Sequence, residues 1–364
     1  MNLEKLKAWL CLKNTPELGC KGRLELLRQY PDPMAFVSHP EHELYSSGLL
    51  KDATKTHLQI GTLPQDAQRI FKLCDKLDIR FLCLDDPLYP APLKTISDPP
   101  LILYYRGDPE VLNTSLMLAV VGTRKASSYG IQMCRKLLSP ACEKGAVVIS
   151  GLAMGIDTIA HQTALEAGSK TIAVLASGLE TIYPPTNKAL ADRIVANGII
   201  ISEYDPGSKM ERWNFPDRNR IISALAEAVF VVEGGIDSGA MLTARFAREQ
   251  GRAVFALPGN INIPNAQGPN LLIKQGAELI SGADDLLNLL RTETSVAEQT
   301  ELFPTLEPEE QTLYDLFRKE QQELSFDTLL LKTGLSFGKL SILLLNLELK
   351  SVIAKSSGNS FILL

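Results

Sequence analysis

From residue 116 to residue 281 the chain repeats one pattern: a short apolar run, a loop bearing glycine or serine, then a stretch of helical periodicity. The apolar runs Leu116–Gly122, Ala146–Gly151, Thr171–Ser177, Gly198–Tyr204, Ala228–Gly234, Ala253–Gly259 and Ala277–Ser281 are the strand candidates. Segments such as IAVLAS and AVFVVEG are almost continuous in β-branched and apolar residues, which suits strands covered on both faces. Strands of that kind separated by helices imply a mostly parallel sheet, because a parallel pair needs a long crossover. The expected class is α/β, a doubly wound sheet over residues 66–290.

The flanks read differently. In residues 1–65, Pro16, Gly19, Gly22 and Ser46-Ser47-Gly48 interrupt helical periodicity, so a small helical domain is expected. Its segment Pro16–Gly22 looks like a helix-hairpin-helix turn, whose backbone N–H groups suit a phosphate; a plain packing hairpin accounts for it equally. Residues 291–308 (RTETSVAEQTELFPTLEP) are polar and acidic with two prolines, as in a linker. Residues 309–364 follow the plan of a winged helix: three helices, then two short apolar runs around Ser357-Gly358-Asn359. The third helix, containing LSILLLNLEL, is so apolar that it is expected to be buried rather than to read DNA, which makes this a protein-docking module.

Charge and missing motifs narrow the function. The formal net charge of −5 means that a nucleic-acid site must be a local concentration of cations, such as Arg124, Lys125, Arg135, Lys136 and Lys144 with only Glu143 against them. The sequence has no apolar run long enough to span a membrane and no signal-peptide pattern at residues 1–15, so a cytoplasmic protein without membrane insertion is expected. Its six cysteines are scattered, so free thiols and no metal site are expected. The stretch Ala167–Thr171 lacks the G-K step of a P-loop and precedes a strand rather than following one. Asp157, Glu203, Asp205, Glu233 and Asp237 are spread over separate loops, a poor start for a metal-dependent nuclease. His161 lies four residues past Asp157 with no nucleophile beside it and reads as a packing histidine.

What remains is the loop edge. In a doubly wound sheet the ligand sits at the carboxyl ends of the strands, where helix N-termini offer free N–H donors and a positive dipole end. The loops Gly122-Thr123-Arg124, Ser150–Asp157, Ser177–Asn187 and Glu233–Ala240 all fall there, and phosphate oxygens suit their glycines and hydroxyls. Phe215-Pro216-Asp217-Arg218-Asn219-Arg220 adds two arginines one residue apart, which cannot share a helix face. One is expected to meet a partner and the other to brace the loops against Glu233 or Asp157.

These motifs resemble those of the DprA/Smf family of DNA-processing proteins. The resemblance rests on VVGTRKASSYG at 120–130, SGLAMGIDTIAHQTAL at 150–165, VLASGLETIYPPTN at 174–187, FPDRNRIISALAEAVFVVEGG at 215–235, SGAMLTARFAREQGRAVFALPG at 238–259 and GPNLLIKQGAELI at 268–280, preceded by DDPLYPAPLKTISDPPLILYYRGDPEVL at 85–112. It implies a Rossmann-like sheet domain between an N-terminal SAM/helix-hairpin-helix-like domain and a C-terminal winged helix. It also implies single-stranded DNA binding, a homodimer through the Rossmann-like domain, and protection of incoming DNA with loading of RecA during natural transformation and homologous recombination. Neither catalysis nor a cofactor is implied.

Carried over to this sequence, Gly122, Thr123, Arg124, Phe215, Arg218, Asn219 and Arg220 are the leading DNA-site residues. Ser150, Gly151, Gly155, Ser238 and Gly239 form a second, phosphate-facing group, and Lys188 stands in for a lysine that relatives carry where this chain has Pro185. Asp217 and Ala176 also depart from the family pattern. The competing reading is an enzyme cleaving N-glycosidic bonds of nucleoside monophosphates, which Glu233-Gly234-Gly235 faintly resembles. The continuation Ile236–Met241 lacks that family's catalytic glutamate.

Overall fold

The computed structural model describes residues 2–61, 64–289, 307–320, 323–350, 352–356 and 360–363, so most of the expected linker and the turn Ser357-Gly358-Asn359 lie outside the described residues. Two compact units emerge, Met1–Glu293 and Thr294–Leu364; the sequence boundary near residue 65 falls inside the first.

The first unit is built on a nine-stranded sheet. Its strands are β1 (Arg80–Cys83), β2 (Ile102–Gly107), β3 (Met117–Val121), β4 (Val147–Ser150), β5 (Thr171–Val174), β6 (Ile199–Ser202), β7 (Ala228–Val231), β8 (Ala253–Ala256) and β9 (Glu278–Leu279). The spatial order is β1-β2-β6-β5-β4-β3-β7-β8-β9. From β6 to β9 every pairing is parallel, so the doubly wound expectation holds. The strand candidates of the sequence all become strands, trimmed at their glycine and serine ends. What the sequence pattern missed is the antiparallel pair β1 and β2, added beside β6 with Tyr104 opposite Ser202.

Alternation along the strands divides the core. Leu103, Ile172, Val174, Ile199 and Ile201 face one layer, which also holds Ile221 and Ile222 of helix Asn214–Leu225 and Ala244 and Ala247 of helix Gly239–Glu249. The neighbouring residues Ile102, Tyr104, Ala173 and Ile200 turn the other way and pack with Leu6, Trp9 and Leu12 of the N-terminal helix Leu3–Lys13. Helices Ser128–Glu143 and Ile156–Glu166 cover the rest of that face over Val120, Val148 and Phe230. Burying both faces removes large apolar areas from water and leaves the strand ends and their loops as the accessible rim.

In the second unit, helices Pro308–Glu320, Phe326–Thr333 and Phe337–Leu349 pack around Leu313, Phe317, Leu329 and Leu340 beside a small sheet of Leu324–Ser325, Ser360–Leu363 and Ile353–Lys355. The expectation that the third helix is buried is corrected. Leu340, Leu343, Leu344 and Leu347 are inside, but Phe337, Ile342 and Leu345 are 69%, 62% and 54% exposed. A small domain offers a helix cover on one side only, so apolarity all round leaves a second apolar face outside. No single helix among the described residues is long and apolar enough to cross a membrane.

One backbone position shows how tightly the rim is set. Gly155, which precedes helix Ile156–Glu166, has φ +80°, and a Cβ there would overlap the Thr123 carbonyl oxygen. Gly155→Ala is expected to destabilise the chain by roughly 1–3 kcal/mol, from left-handed strain together with that overlap. Urea unfolding followed by circular dichroism measures it, and an unchanged midpoint would refute the constraint.

Candidate nucleic-acid interface

The sheet reverses its winding at β3: β4, β5 and β6 extend to one side, β7, β8 and β9 to the other. Ligands bind doubly wound sheets at such switch points, since the loops diverge and leave a crevice. Here the β3 loop is tied to both neighbours, with Thr123 N donating to the Glu233 carbonyl at 2.7 Å and Ile156 N donating to the Thr123 carbonyl at 3.2 Å. A cleft of about 500 Å³ opens above this seam.

The cleft gathers Gly122, Thr123 and Arg124 from the β3 loop, Phe215, Arg218 and Asn219 from helix Asn214–Leu225, and Ser238 and Gly239 from the start of the next helix. Lys125 joins them, and Arg124 and Lys125 are both exposed. The Arg124 guanidinium lies 5.4 Å from the centre of the Phe215 ring. Tyr183 meets the same ring edge-on at 5.7 Å, and a small side pocket runs on between Met154, Tyr183 and Phe215. Guanidinium and aromatic faces together suit a strand of phosphates and bases.

Helix Gly239–Glu249 contributes an open N-terminus. Ser238 stands at its N-cap without capping it, and among the described residues the Ser238 Oγ is buried with no hydrogen-bond partner. A helix start left uncapped at a cleft is a seat for an anion. The neighbouring helix Ser128–Glu143 is closed by contrast: Ser127 Oγ accepts from Gly130 N at 3.0 Å, and Glu233 accepts from both Ser127 N and the Ser127 hydroxyl. Beyond Glu233 lies a larger hollow of about 650 Å³, walled by Tyr129, Leu257, Pro258 and Ile263, with no lysine or arginine in its lining. A polyanion needs cations, which places the candidate interface on the Arg124 side.

The remaining candidates are placed elsewhere. Ser150 is fully buried, its hydroxyl donating to the Val120 carbonyl at 2.7 Å, and so braces two strands instead of facing the cleft. Lys188 is exposed at the start of helix Lys188–Asn197, outside the cleft lining. Arg220 forms a fork on Glu203, with Nη1 and Nη2 at 2.8 and 2.6 Å, and its Nη2 is 3.5 Å from Asp98. Arg218 is 5% exposed and forms the cleft floor. Its Nη1 donates to the carbonyls of Gly151, at 2.9 Å, and Val174, and its Nε donates to Asn219 Oδ1 at 3.2 Å. Both arginines are therefore tied into the protein, where the sequence reading had turned one outward. Gly151 is a close-approach glycine, since a Cβ would collide with the Arg218 guanidinium.

A model of the family described as DNA recombination-mediator protein A matches residues 80–291, and a second, the DprA winged helix domain, matches residues 297–359. DNA processing protein DprA of Bacillus subtilis is 38% identical over 252 residues, covering 67% of this chain and 85% of that protein. Protein Smf of Synechocystis is 37% identical over 314 residues, 77% of this chain and 79% of its own. The X-ray structure of DprA from Streptococcus pneumoniae superposes with a TM-score of 0.68 at 33% identity, covering 79% of this chain and 98% of that one. The chain belongs to the DprA/Smf family. A further member, DNA processing protein A from Helicobacter pylori, whose structure is described as giving insight into a single-stranded DNA binding mode, matches with a TM-score of 0.54 at 32% identity over 59% of this chain and 97% of its own.

In this DprA/Smf chain the electrostatics behind the cleft are internal. Asp157 accepts from Gly151 N at 3.2 Å and Ala153 N at 3.3 Å. Burial pushes its carboxyl above the ordinary value, with Arg218 pulling the other way. Burial likewise lowers Arg218, and the Asp157 charge opposes that. His161 sits beneath them with Nδ1 2.7 Å from Thr171 Oγ1, held down to about 3 by burial and by the Arg218 charge. It is a packing histidine, as its spacing suggested. Among the described residues the thiol and carboxylates that come close enough to hold a metal, Cys83 with Asp85 and Asp86, receive Lys5 Nζ at 2.9 and 2.7 Å from the two aspartates.

The sequence reading of the site passed over Trp213, exposed at the N-cap of the Phe215 helix. A lone tryptophan between Arg212 and Asn214, in no apolar periodicity, was the signal available.

The buried groups behind the cleft lead to two stability predictions. Arg218→Ala leaves Asp157 buried without its cation and is expected to cost about 3–5 kcal/mol. Urea unfolding of that variant reads the loss, and one below about 1 kcal/mol would show the tie to be dispensable. His161 is neutral in the fold, whereas the unfolded chain gains a proton below about 6.5, so its contribution to stability is lost as the pH falls from 6.5 toward 3. The slope approaches about 1.4 kcal/mol per pH unit. Asp157, raised in the fold, acts in the opposite sense at the bottom of that window. His161→Asn is expected to flatten the dependence of the unfolding midpoint between about pH 6 and 4; a dependence equal to the parent's would count against the assignment.

Proposed function

We propose that this chain binds single-stranded DNA along the rim at the β3 switch point, protects it, and loads a RecA-type recombinase onto it during natural transformation and homologous recombination. Family membership supports the recombination-mediator role. The observation that carries the DNA site is the convergence, in one cleft, of the exposed Arg124 and Lys125, the Phe215 ring and the uncapped helix start at Ser238. The described binding mode of the Helicobacter pylori relative supports a single strand as the guest. Phosphates then sit against Arg124, Lys125 and the N–H groups of Gly239 and Ala240, and a base stacks by Phe215. Arg218 and Arg220 serve as scaffold. Recombinase loading and a homodimer through the sheet domain rest on the family resemblance, and the reading needs neither a cofactor nor catalysis by this chain.

The experiment is a mobility shift comparing oligo(dT) with a duplex of equal length over a series of salt concentrations. The expected outcome is preference for the single strand and affinity that falls steeply with salt. Arg124→Ala is expected to weaken binding by about 1–3 kcal/mol and to reduce the salt slope on the single strand by about 0.7, with unfolding unchanged because Arg124 is exposed. A folded Arg124→Ala chain that binds like the parent at every salt would remove this cleft from the DNA path.

A further inference from the structure

Trp213 is 64% exposed, whereas the chain's other tryptophan, Trp9, is 1% exposed in the core beneath the sheet. Among the described residues the Trp213 indole has no hydrogen bond or ring contact, yet its backbone is fixed from both sides. Asn214 N donates to the Glu211 carbonyl at 3.2 Å and Asp217 N to the Trp213 carbonyl at 3.3 Å. Asn214 is itself buried: its Nδ2 donates to the Ala176 carbonyl at 3.1 Å, and its carbonyl accepts from Tyr204 Oη at 3.2 Å. An exposed indole is thus mounted on a fixed helix start, two residues before Phe215, the ring that already meets Arg124 and Tyr183.

The ring stands among charged groups of both signs rather than among apolar side chains of its own segment. Arg212 is exposed beside it and Lys209 projects into solvent with Glu211 3.5 Å away; the acids nearby are Glu211 and the exposed Asp217. Cations interleaved with exposed rings make a track for phosphates and bases, whereas a protein-docking face would gather its apolar side chains into a continuous patch. We propose that Trp213 is a base-stacking platform that extends the single-strand path beyond the Arg124 cleft by one nucleotide. The assignment rests on the proposed DNA site and adds to it a residue whose contribution comes through the base rather than the phosphate.

That difference is measurable on the full chain. Labelled oligo(dT) and an abasic oligonucleotide of equal length and charge are titrated with the parent, Trp213→Ala, Trp213→Phe and Arg124→Ala at several salt concentrations, with intrinsic tryptophan emission followed in parallel. Stacking predicts that Trp213→Ala weakens oligo(dT) binding roughly tenfold with the salt slope unchanged, and that Trp213→Phe restores most of the loss. It also predicts that the abasic strand binds the parent and Trp213→Ala alike, and that oligo(dT) quenches emission from the parent but not from Trp213→Ala. If Trp213→Ala binds oligo(dT) like the parent while Arg124→Ala is weakened, the platform is overturned and the cleft stands. An equal loss on the abasic strand overturns it too, as does a change in oligomer mass for Trp213→Ala with DNA binding intact, which would assign the ring to a protein contact. If neither variant is weakened, the cleft itself is the wrong site.

Discussion

A buried guanidinium group holds the loop edge in shape. Arg218 starts on the helix covering one face of the sheet and ends against the carbonyls of Gly151 and Val174, at the ends of β4 and β5. Burying that cation is tolerable because two carbonyls, an amide oxygen and the charge of Asp157 replace its hydration. The same contacts require glycine at 151, where the guanidinium fills the space a Cβ would take. Asp157 in turn gathers the N–H groups of Gly151 and Ala153, so the loop after β4 has few other arrangements open to it. The geometry of the cleft is therefore set from beneath by groups that need not touch a ligand.

A second consequence concerns sign. The chain is acidic overall, with a net charge of −5, and carboxylates near the rim would repel a polyanion. Those on the β6 side are answered from within. Glu203 is gripped by Arg220, and Asp205 receives Lys13 from the N-terminal helix and Tyr104 Oη from β2. The N-terminal helices therefore do more than cover apolar surface, because they bring cations to carboxylates next to the ligand edge. Arg124 and Lys125 stay exposed at the cleft, with no comparable carboxylate partner among the described residues.

The sheet was legible because its signal is local and repeated: each parallel strand is an apolar run ended by glycine or serine, and the helices between carry their own periodicity. The pair β1 and β2 was not, since ILYYRG carries two tyrosines and an arginine and its partner RFLC is short. Which rim residues converge was also largely legible, because strand ends in a doubly wound sheet share one edge. What each does there was not. Arg124 and Arg218 look alike in sequence, and only the distance to carbonyls on other strands separates a surface cation from a buried tie. Ser150 and Ser238 differ in the same way, one bonded across strands and one with no hydrogen-bond partner for its hydroxyl among the described residues. For Phe337–Leu349, composition described apolarity correctly but could not say how many sides of the helix had neighbours.

The small number of free cations bears on how such a site grips DNA. A protein cation neutralising one phosphate of a single strand contributes a salt slope of about 0.7. Arg124 and Lys125 together then account for a slope of only roughly 1.4 per site, far short of an electrostatically dominated binder. In the proposed site the rest of the affinity would come from the backbone donors at the Ser238 helix start and from aromatic faces, of which the stacking is not screened by salt. Rings also explain how a site tolerates any sequence, since every base presents a π-face. In the proposed site, two exposed cations beside the Phe215 ring would hold a strand by its bases as much as by its charge, and joining two such clefts in the proposed dimer would raise grip through avidity without adding a cation to either.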